Sequence, residues 1–148
     1  MPPRYPLSKI WLISDARNDA ALERALKRLP RGSGLIFRHY HLGPHERQAR
    51  FKELKRRARL HGHRLVLSGT AAEARRWGAD GAYGADLARG PALLRLVTVH
   101  SLRELRRASR ADAVLLSPVP VIALGGMTAR RTRQIGAEHW AGIDAFLR

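Results

Sequence analysis

Short, nearly uninterrupted apolar runs, separated by charged segments with helical spacing, constrain this chain more than any other feature. Ile10-Trp11-Leu12-Ile13, Leu35-Ile36-Phe37, Leu65-Val66-Leu67, Leu94 to Val99, Ala113 to Leu116 and Val121 to Leu124 contain few polar residues. A strand with one face in water alternates apolar and polar positions. A run that is apolar throughout belongs to a strand covered on both faces, as in a parallel sheet flanked by helices. Ala79 to Tyr83 and Ala141 to Phe146 are weaker strand candidates, which brings the number to eight.

The intervening segments read as helices. In Ala20 to Leu29, the residues Leu22, Ala25, Leu26 and Leu29 share one face, and Pro30 stops the run. Arg31-Gly32-Ser33-Gly34 is a turn. Gly43-Pro44 opens a long helix to about Leu60, with Phe51, Leu54 and Ala58 on one side. Thr70 caps a short helix from Ala71 to Trp77, and Thr128 caps a very basic one to about Ile135. Ser101 and Glu104 form a capping box ahead of Leu102 and Leu105.

The resulting order is β-α-β-α throughout, and it predicts an α/β fold of the (β/α)8 TIM-type barrel kind. Such barrels run to ~250 residues and need at least ~200, whereas this chain has 148. Part of the shortfall is visible where Leu115-Leu116-Ser117-Pro118-Val119 runs straight into Pro120-Val121-Ile122-Ala123-Leu124. Adjacent parallel strands need a crossover of a dozen or more residues. Either this segment is one long strand broken at prolines, or a crossover is missing. Pro118 and Pro120 fit poorly inside a central strand. The expectation is therefore a barrel without the crossover between strands six and seven, through an internal deletion or an omitted loop. No linker, repeat or low-complexity stretch divides the chain, so residues 1–148 read as a single domain.

Lys and Arg total 28 against 12 Asp and Glu, a formal net charge of +16. Such an excess is the footprint of a nucleic-acid binder. Yet nearly all of it is Arg, the lysines being Lys9, Lys27, Lys52 and Lys55, and Ala is also abundant. A GC-rich coding bias produces the same pattern, and so does recognition of phosphates and pyrophosphates, which Arg grips bidentately. The run from Arg47 to Arg64 has only Phe51 as an aromatic, on its apolar side, so base-stacking residues are lacking. Arg103, Arg106, Arg107, Arg110, Arg130, Arg131 and Arg133 spread over two further helices. Nucleic acid is thus not the expected partner. The absence of cysteine excludes disulfides, Fe–S clusters, Cys-ligated zinc and a thiol nucleophile. No apolar run approaches the ~20 residues of a membrane span. Met1-Pro2-Pro3-Arg4-Tyr5-Pro6 has no apolar signal core, so a cytoplasmic protein is expected.

His39, His41 and His45 lie close together, with His61 and His63 beyond. A His-x-His pair with another His four residues on can ligate zinc or nickel; the competing reading is a solvated loop after the second strand. No H-E-x-x-H pattern, Walker loop, Gly-x-Ser-x-Gly elbow or dinucleotide fingerprint is present.

An ordered series of segments runs through nearly the whole chain: Trp11-Leu12-Ile13-Ser14-Asp15, Phe37-Arg38, Gly81-Ala82-Tyr83-Gly84, Val97-Thr98-Val99-His100-Ser101, Ala111-Asp112-Ala113-Val114-Leu115-Leu116-Ser117-Pro118-Val119 and Pro120-Val121-Ile122-Ala123-Leu124-Gly125-Gly126-Met127. This series resembles the thiamine phosphate synthase family, which includes its paralogue the thiazole tautomerase. The likeness is strongest from residue 96 to 127.

The resemblance implies a (β/α)8 barrel. It implies a transferase that joins hydroxymethylpyrimidine pyrophosphate to thiazole phosphate and releases pyrophosphate with Mg²⁺. Arg38 matches the family's pyrophosphate-contacting arginine. Thr98 and His100 match the small hydroxyl residue and histidine after strand five; in the tautomerase that histidine transfers a proton. Gly125 and Gly126 match the phosphate-binding glycines after strand seven, and they precede a Thr-capped helix suited to an anion. Asp86 is the candidate for one metal-binding aspartate.

Several family features differ. Ser68-Gly69 stands where the family has an Asn-Asp pair. Tyr40 replaces a lysine, and the Lys-containing loop after strand six is missing. No phosphate-binding pattern is recognisable in Ile143-Asp144-Ala145-Phe146. Three alternatives accompany the synthase expectation. One is a tautomerase working through His100 without metal, another an inactive relative, and the third a basic nucleic-acid-binding module.

Overall fold

The computed structural model describes residues 8, 10–84, 93–99, 113–116 and 140–142. Among these residues, seven strands form one sheet: β1 (Ile10–Ile13), β2 (Gly34–Phe37), β3 (Arg64–Ser68), β4 (Gly81–Gly84), β5 (Leu94–Val99), β6 (Ala113–Leu116) and β7 (Trp140–Gly142). Every pairing is parallel. The strand order is β6-β5-β4-β3-β2-β1-β7. The first six strands therefore add in chain order on one side, and the last returns to pair with the first. That is the order of an α/β barrel laid open between β6 and β7. The seventh predicted strand, Val121 to Leu124, and the Val119–Pro120 junction lie outside the described residues.

Three helices link the first four strands: α1 (Leu22–Arg28), α2 (Pro44–Leu60) and α3 (Ala71–Trp77). Their apolar faces are those that the spacing predicts. Leu22, Ala25 and Leu26 of α1 and Phe51, Leu54 and Ala58 of α2 are buried. They pack on Leu12, Leu35, Phe37, Leu65, Leu67 and Ala82, the alternate residues on one face of the sheet. Thr70 caps α3, accepting from Glu73 N–H at 3.1 Å, and Gly78 closes it in the left-handed region at φ 69°. Two boundaries differ from the sequence reading. A 3₁₀ turn at Asp19–Ala21 precedes α1, so the helix starts later than Ala20. The last described strand, Trp140–Gly142, starts one residue before the predicted Ala141, and the predicted continuation to Phe146 lies outside the described residues. The helices predicted after Ser101 and Thr128 lie outside the described residues. No helix among the described residues is long and apolar enough to cross a membrane.

The opposite sheet face holds a second apolar cluster: Trp11, Ile13, Ile36, Val66 and Leu96, with Tyr83 and Leu94 against it. All its members come from strands. Ile13 sits beside Ile36, Ile36 beside Val66, and Tyr83 beside Leu96 in register. The strands cover this face by curling around their own side chains, which makes it the concave lining of a partial barrel. Trp11 fills the end nearest the strand starts. Its indole crosses Gly34, where an added Cβ would stand 2.1 Å from Cε3. The indole Nε1 donates to the Ser8 carbonyl at 2.8 Å, which fixes its pose.

Candidate functional site

Parallel strands present all their C-terminal ends at one rim, and the inward alternation continues there. Beyond Ile13 it reaches Asp15; beyond Ile36, Arg38; beyond Val66, Ser68. On β4 and β5 it reaches Tyr83 and Thr98. Polar residues therefore ring the mouth above an apolar plug.

Arg38 is anchored but not consumed. Its backbone N–H donates to Ser14 Oγ at 2.9 Å, its Nε to the Ser14 carbonyl at 3.2 Å, and its Nη2 lies 3.4 Å from Asp15 Oδ2. The side chain keeps 31% exposure. A guanidinium has five N–H donors, and these contacts draw on Nε and Nη2. Asp15 is held more tightly by Arg17, whose Nη2 donates at 2.8 Å. Burial works against ionisation of Asp15, yet the hydrogen bonds from Arg17 and the charges of Arg17 and Arg38 prevail and lower its pKa.

Around the rim, the Tyr40 hydroxyl pairs with Ser68 Oγ, and Thr98 Oγ1 donates to the Tyr83 hydroxyl at 2.6 Å. Arg47, the first cation of the run read as a charged helix, is spent inward. Its Nε donates to the Arg38 carbonyl and its Nη2 to the Ser68 carbonyl, both at 2.8 Å. Its guanidinium lies over the rings of Phe37, Tyr40 and Trp77 at 5.3–5.6 Å. Arg47 thus clamps the ends of β2 and β3 and sets the position of the Arg38 main chain.

A second network lies behind the mouth, on the helix side. Asn18 closes the loop after β1, donating to the Ile13 carbonyl at 2.8 Å and accepting from Asp15 N–H at 2.9 Å. His39 is fully buried, not solvated as one sequence reading held, and its φ is +45°. Its ring stacks on Phe37 at 4.4 Å. Nδ1 faces Ser14 Oγ and Nε2 faces Asp19 Oδ1, each at 2.8 Å. Burial lowers the His39 pKa against the opposing pull of Asp19, so the ring is neutral near pH 7. A carboxylate only accepts, so Nε2 carries the proton and Nδ1 accepts from the Ser14 hydroxyl. Burial also works against ionisation of Asp19, but hydrogen bonds from His39 and Arg50 lower its pKa. Arg50 Nε reaches Asp19 Oδ1 at 2.7 Å, and Nη2 reaches Glu23 Oε2 at 3.1 Å. The hydrogen bonds that Arg50 donates to Glu23 raise its pKa still further, so its charge is permanent.

Of the residues singled out in the sequence, the structure places Arg38 and Thr98 on the same rim, at the ends of β2 and β5, with Ser68 of β3 and Tyr83 of β4 between. His100, Asp86, Gly125 and Gly126 lie outside the described residues. The sequence reading did not single out the Tyr83–Thr98 pair, the Tyr40–Ser68 pair or the Ser14–His39–Asp19–Arg50 network. The signal for the rim hydroxyls was present, since Ser68 and Tyr83 fall on the inward alternation of their strands.

The carboxylates described at the mouth do not fit the Mg²⁺ that the family resemblance implies. Asp15 is engaged by Arg17 and Arg38, and Glu73 Oε1 lies 3.8 Å from Arg47. Mg²⁺ needs open carboxylate oxygens alongside its waters.

No family model and no curated protein matches the chain by sequence. Among solved structures, thiamine phosphate pyrophosphorylase from Pyrococcus furiosus superposes with a TM-score of 0.71, covering 92% of this chain and 85% of that one. The two share a fold. Their identity is 18%, so the likeness concerns the backbone path and not the chemistry. Its near-complete coverage supports the α/β, partial-barrel architecture and the placement of the rim at the strand ends.

Proposed function

We propose that the mouth binds a phosphorylated small molecule, and that the protein is a thiamine phosphate synthase-like transferase acting on hydroxymethylpyrimidine pyrophosphate and thiazole phosphate. The observation that carries this reading is Arg38. It is a guanidinium tethered on one edge, one third exposed, at the end of a barrel strand among the hydroxyls of Tyr40, Ser68, Tyr83 and Thr98. Such a fork suits a phosphate or pyrophosphate, and prior anchoring by Ser14 reduces the entropy lost on binding.

In the coupling reaction the C–O bond between the pyrimidine methylene and the pyrophosphate breaks. The electron pair leaves with pyrophosphate, and the thiazole nitrogen lone pair forms the new C–N bond. Arg38 would take up charge developing on the leaving group. Gly125 and Gly126 would hold the thiazole phosphate through backbone N–H groups, with His100 and Thr98 lining the reaction centre.

A second reading, a tautomerase or inactive relative, is favoured by the engaged carboxylates. Proton transfer needs no metal, and the Thr98–Tyr83 hydroxyl pair at the rim can relay protons.

The test is calorimetric titration of each precursor, with and without Mg²⁺, followed by chromatographic assay for thiamine phosphate. The synthase reading predicts product, and at least ~tenfold weaker pyrophosphate binding in Arg38→Ala, a loss of about 1.4 kcal/mol. Binding of thiazole phosphate without coupling selects the second reading. Failure of the protein to bind either precursor refutes both.

A further inference from the structure

We infer that Asp19, His39 and His41 form a binding site for a divalent transition ion of the zinc class, separate from the mouth and behind it. One ligand atom from each of these residues lies within 4.8 Å of the others. Two imidazoles and a carboxylate are the donor set of zinc, nickel or copper, not of magnesium or calcium. The motif is the His-x-His step after β2, joined by an aspartate from the loop after β1 that no local spacing reveals.

The site shows preparation on its buried side. His39 is held at φ +45°, a conformation that non-glycine residues adopt only where their surroundings hold them there. Its ring orientation is fixed twice, by stacking on Phe37 and by Ser14 Oγ on Nδ1. A metal-binding histidine wants this arrangement, with the far nitrogen hydrogen-bonded and the near nitrogen aimed at the ion. Binding requires a tautomer exchange: the proton leaves Nε2 for Nδ1, which then donates to Ser14 Oγ. That oxygen already accepts from Arg38 N–H and has a second lone pair for the purpose.

On the open side, His41 is exposed and its ring lies 5.0 Å from that of His39, tilted by 38°. Tetrahedral ligands with bonds of ~2.0–2.1 Å sit roughly 3.3 Å apart. His39 Nε2 and Asp19 Oδ1 are already 2.8 Å apart, so closure falls to the exposed partner, His41. Turning Asp19 toward the ion gives up its bond from Arg50 Nε but does not set Arg50 loose. Arg50 remains bonded to Glu23 and, through Nη2, to the Asp19 carbonyl at 2.8 Å. The exposed face leaves the fourth position to water. An ion there would cross-link the loops after β1 and β2 and hold Arg38, the residue before His39.

The test is calorimetric titration of Zn²⁺ into chelator-treated full-length protein, with Co²⁺ as a spectroscopic probe. The site predicts one equivalent of Zn²⁺, the strong visible absorption of tetrahedral Co²⁺, and a thermal midpoint raised by Zn²⁺. His41→Ala should weaken binding at least ~tenfold and abolish the thermal shift. His41→Asp, which restores a ligand, should recover part of both. His61→Ala removes a histidine from the separate His61–His63 pair and should change neither. Absence of stoichiometric binding overturns the proposal. So does binding that His41→Ala leaves intact or that His61→Ala weakens equally, since it would show adventitious capture by surface histidines. None of these readouts involves phosphorylated ligands, so failure here leaves the proposed function standing, and the reverse holds too.

Discussion

Replacing Gly34 with alanine tests whether the concave face is a filled barrel interior. Conformation does not demand glycine here, because Gly34 is an ordinary strand residue of β2. In an unobstructed strand, alanine would gain ~0.5–1 kcal/mol from the reduced freedom of the unfolded chain. The obstruction is the indole of Trp11. A Cβ on Gly34 would meet Cε3 at 2.1 Å, Cζ3 at 2.2 Å and Cδ2 at 2.6 Å. The ring is rigid, 2% exposed and tied to the Ser8 carbonyl. It must leave its place, and β1 must shift or the Ser8 hydrogen bond must break.

Overpacking of this kind costs ~1–3 kcal/mol, and full expulsion of the tryptophan would approach the ~3–5 kcal/mol of its deletion. Net of the entropy gain, Gly34→Ala should destabilise by about 2 kcal/mol, or roughly 6 °C in thermal midpoint for a chain of this size. Urea unfolding followed by circular dichroism measures it. Trp11→Leu, which removes the obstructing ring, should reduce the additional cost of Gly34→Ala to near zero in a double-mutant cycle. A Gly34→Ala variant as stable as the parent, or an undiminished cost in the Trp11→Leu background, would refute the packing argument.

Three further outcomes follow from the described contacts. Arg50→Ala strips Asp19 and Glu23 of their common partner, and should lower stability by about 2 kcal/mol in chemical denaturation. Thr70→Ala removes the α3 cap and should cost ~1 kcal/mol in the same assay, with Thr70→Ser nearly neutral. Acid should act in two stages, read as thermal midpoint against pH. Burial lowers the pKa of His39 and His63, so the unfolded chain takes up protons first and stability declines as pH falls below the usual imidazole value of ~6.5. Asp15, Asp19 and Glu23 also have lowered pKa values, and the stability they add is present above the ordinary carboxylate range and lost as pH falls through it. A midpoint constant from about pH 7.5 to 5 would contradict the first stage.

The strands were legible because burial on both faces leaves a local mark. Leu65-Val66-Leu67 can hardly be anything else. The helix faces were legible for the same reason, since Phe51, Leu54 and Ala58 recur at helical spacing. What escaped was long-range. Nothing near Gly34 announces an indole from another strand. Ser14 and His39 are 25 residues apart, and only the β1–β2 pairing brings them together. Arg47 and Arg50 read as part of a solvated charge run, yet they are the inward-turned members of it, tying α2 to strand ends and to α1. Lys55 and Arg59 likewise reach the carbonyls of Trp77 and Gly78. A basic composition therefore overstates the cationic surface of α2. At the mouth, Arg38 was singled out through the family resemblance, while the hydroxyl pairs needed the sheet order.

The central claim is that anionic ligands bind at the strand ends and not on the basic outer face of α2. Mapping amide chemical-shift changes on titration with thiazole phosphate, then with hydroxymethylpyrimidine pyrophosphate, tests this most directly. The account predicts saturable changes centred on Arg38, Tyr40, Ser68, Tyr83 and Thr98. Changes centred on the exposed Arg56 and Arg57 that fade steeply with added salt would contradict it, and would point to a polyanion-binding surface instead.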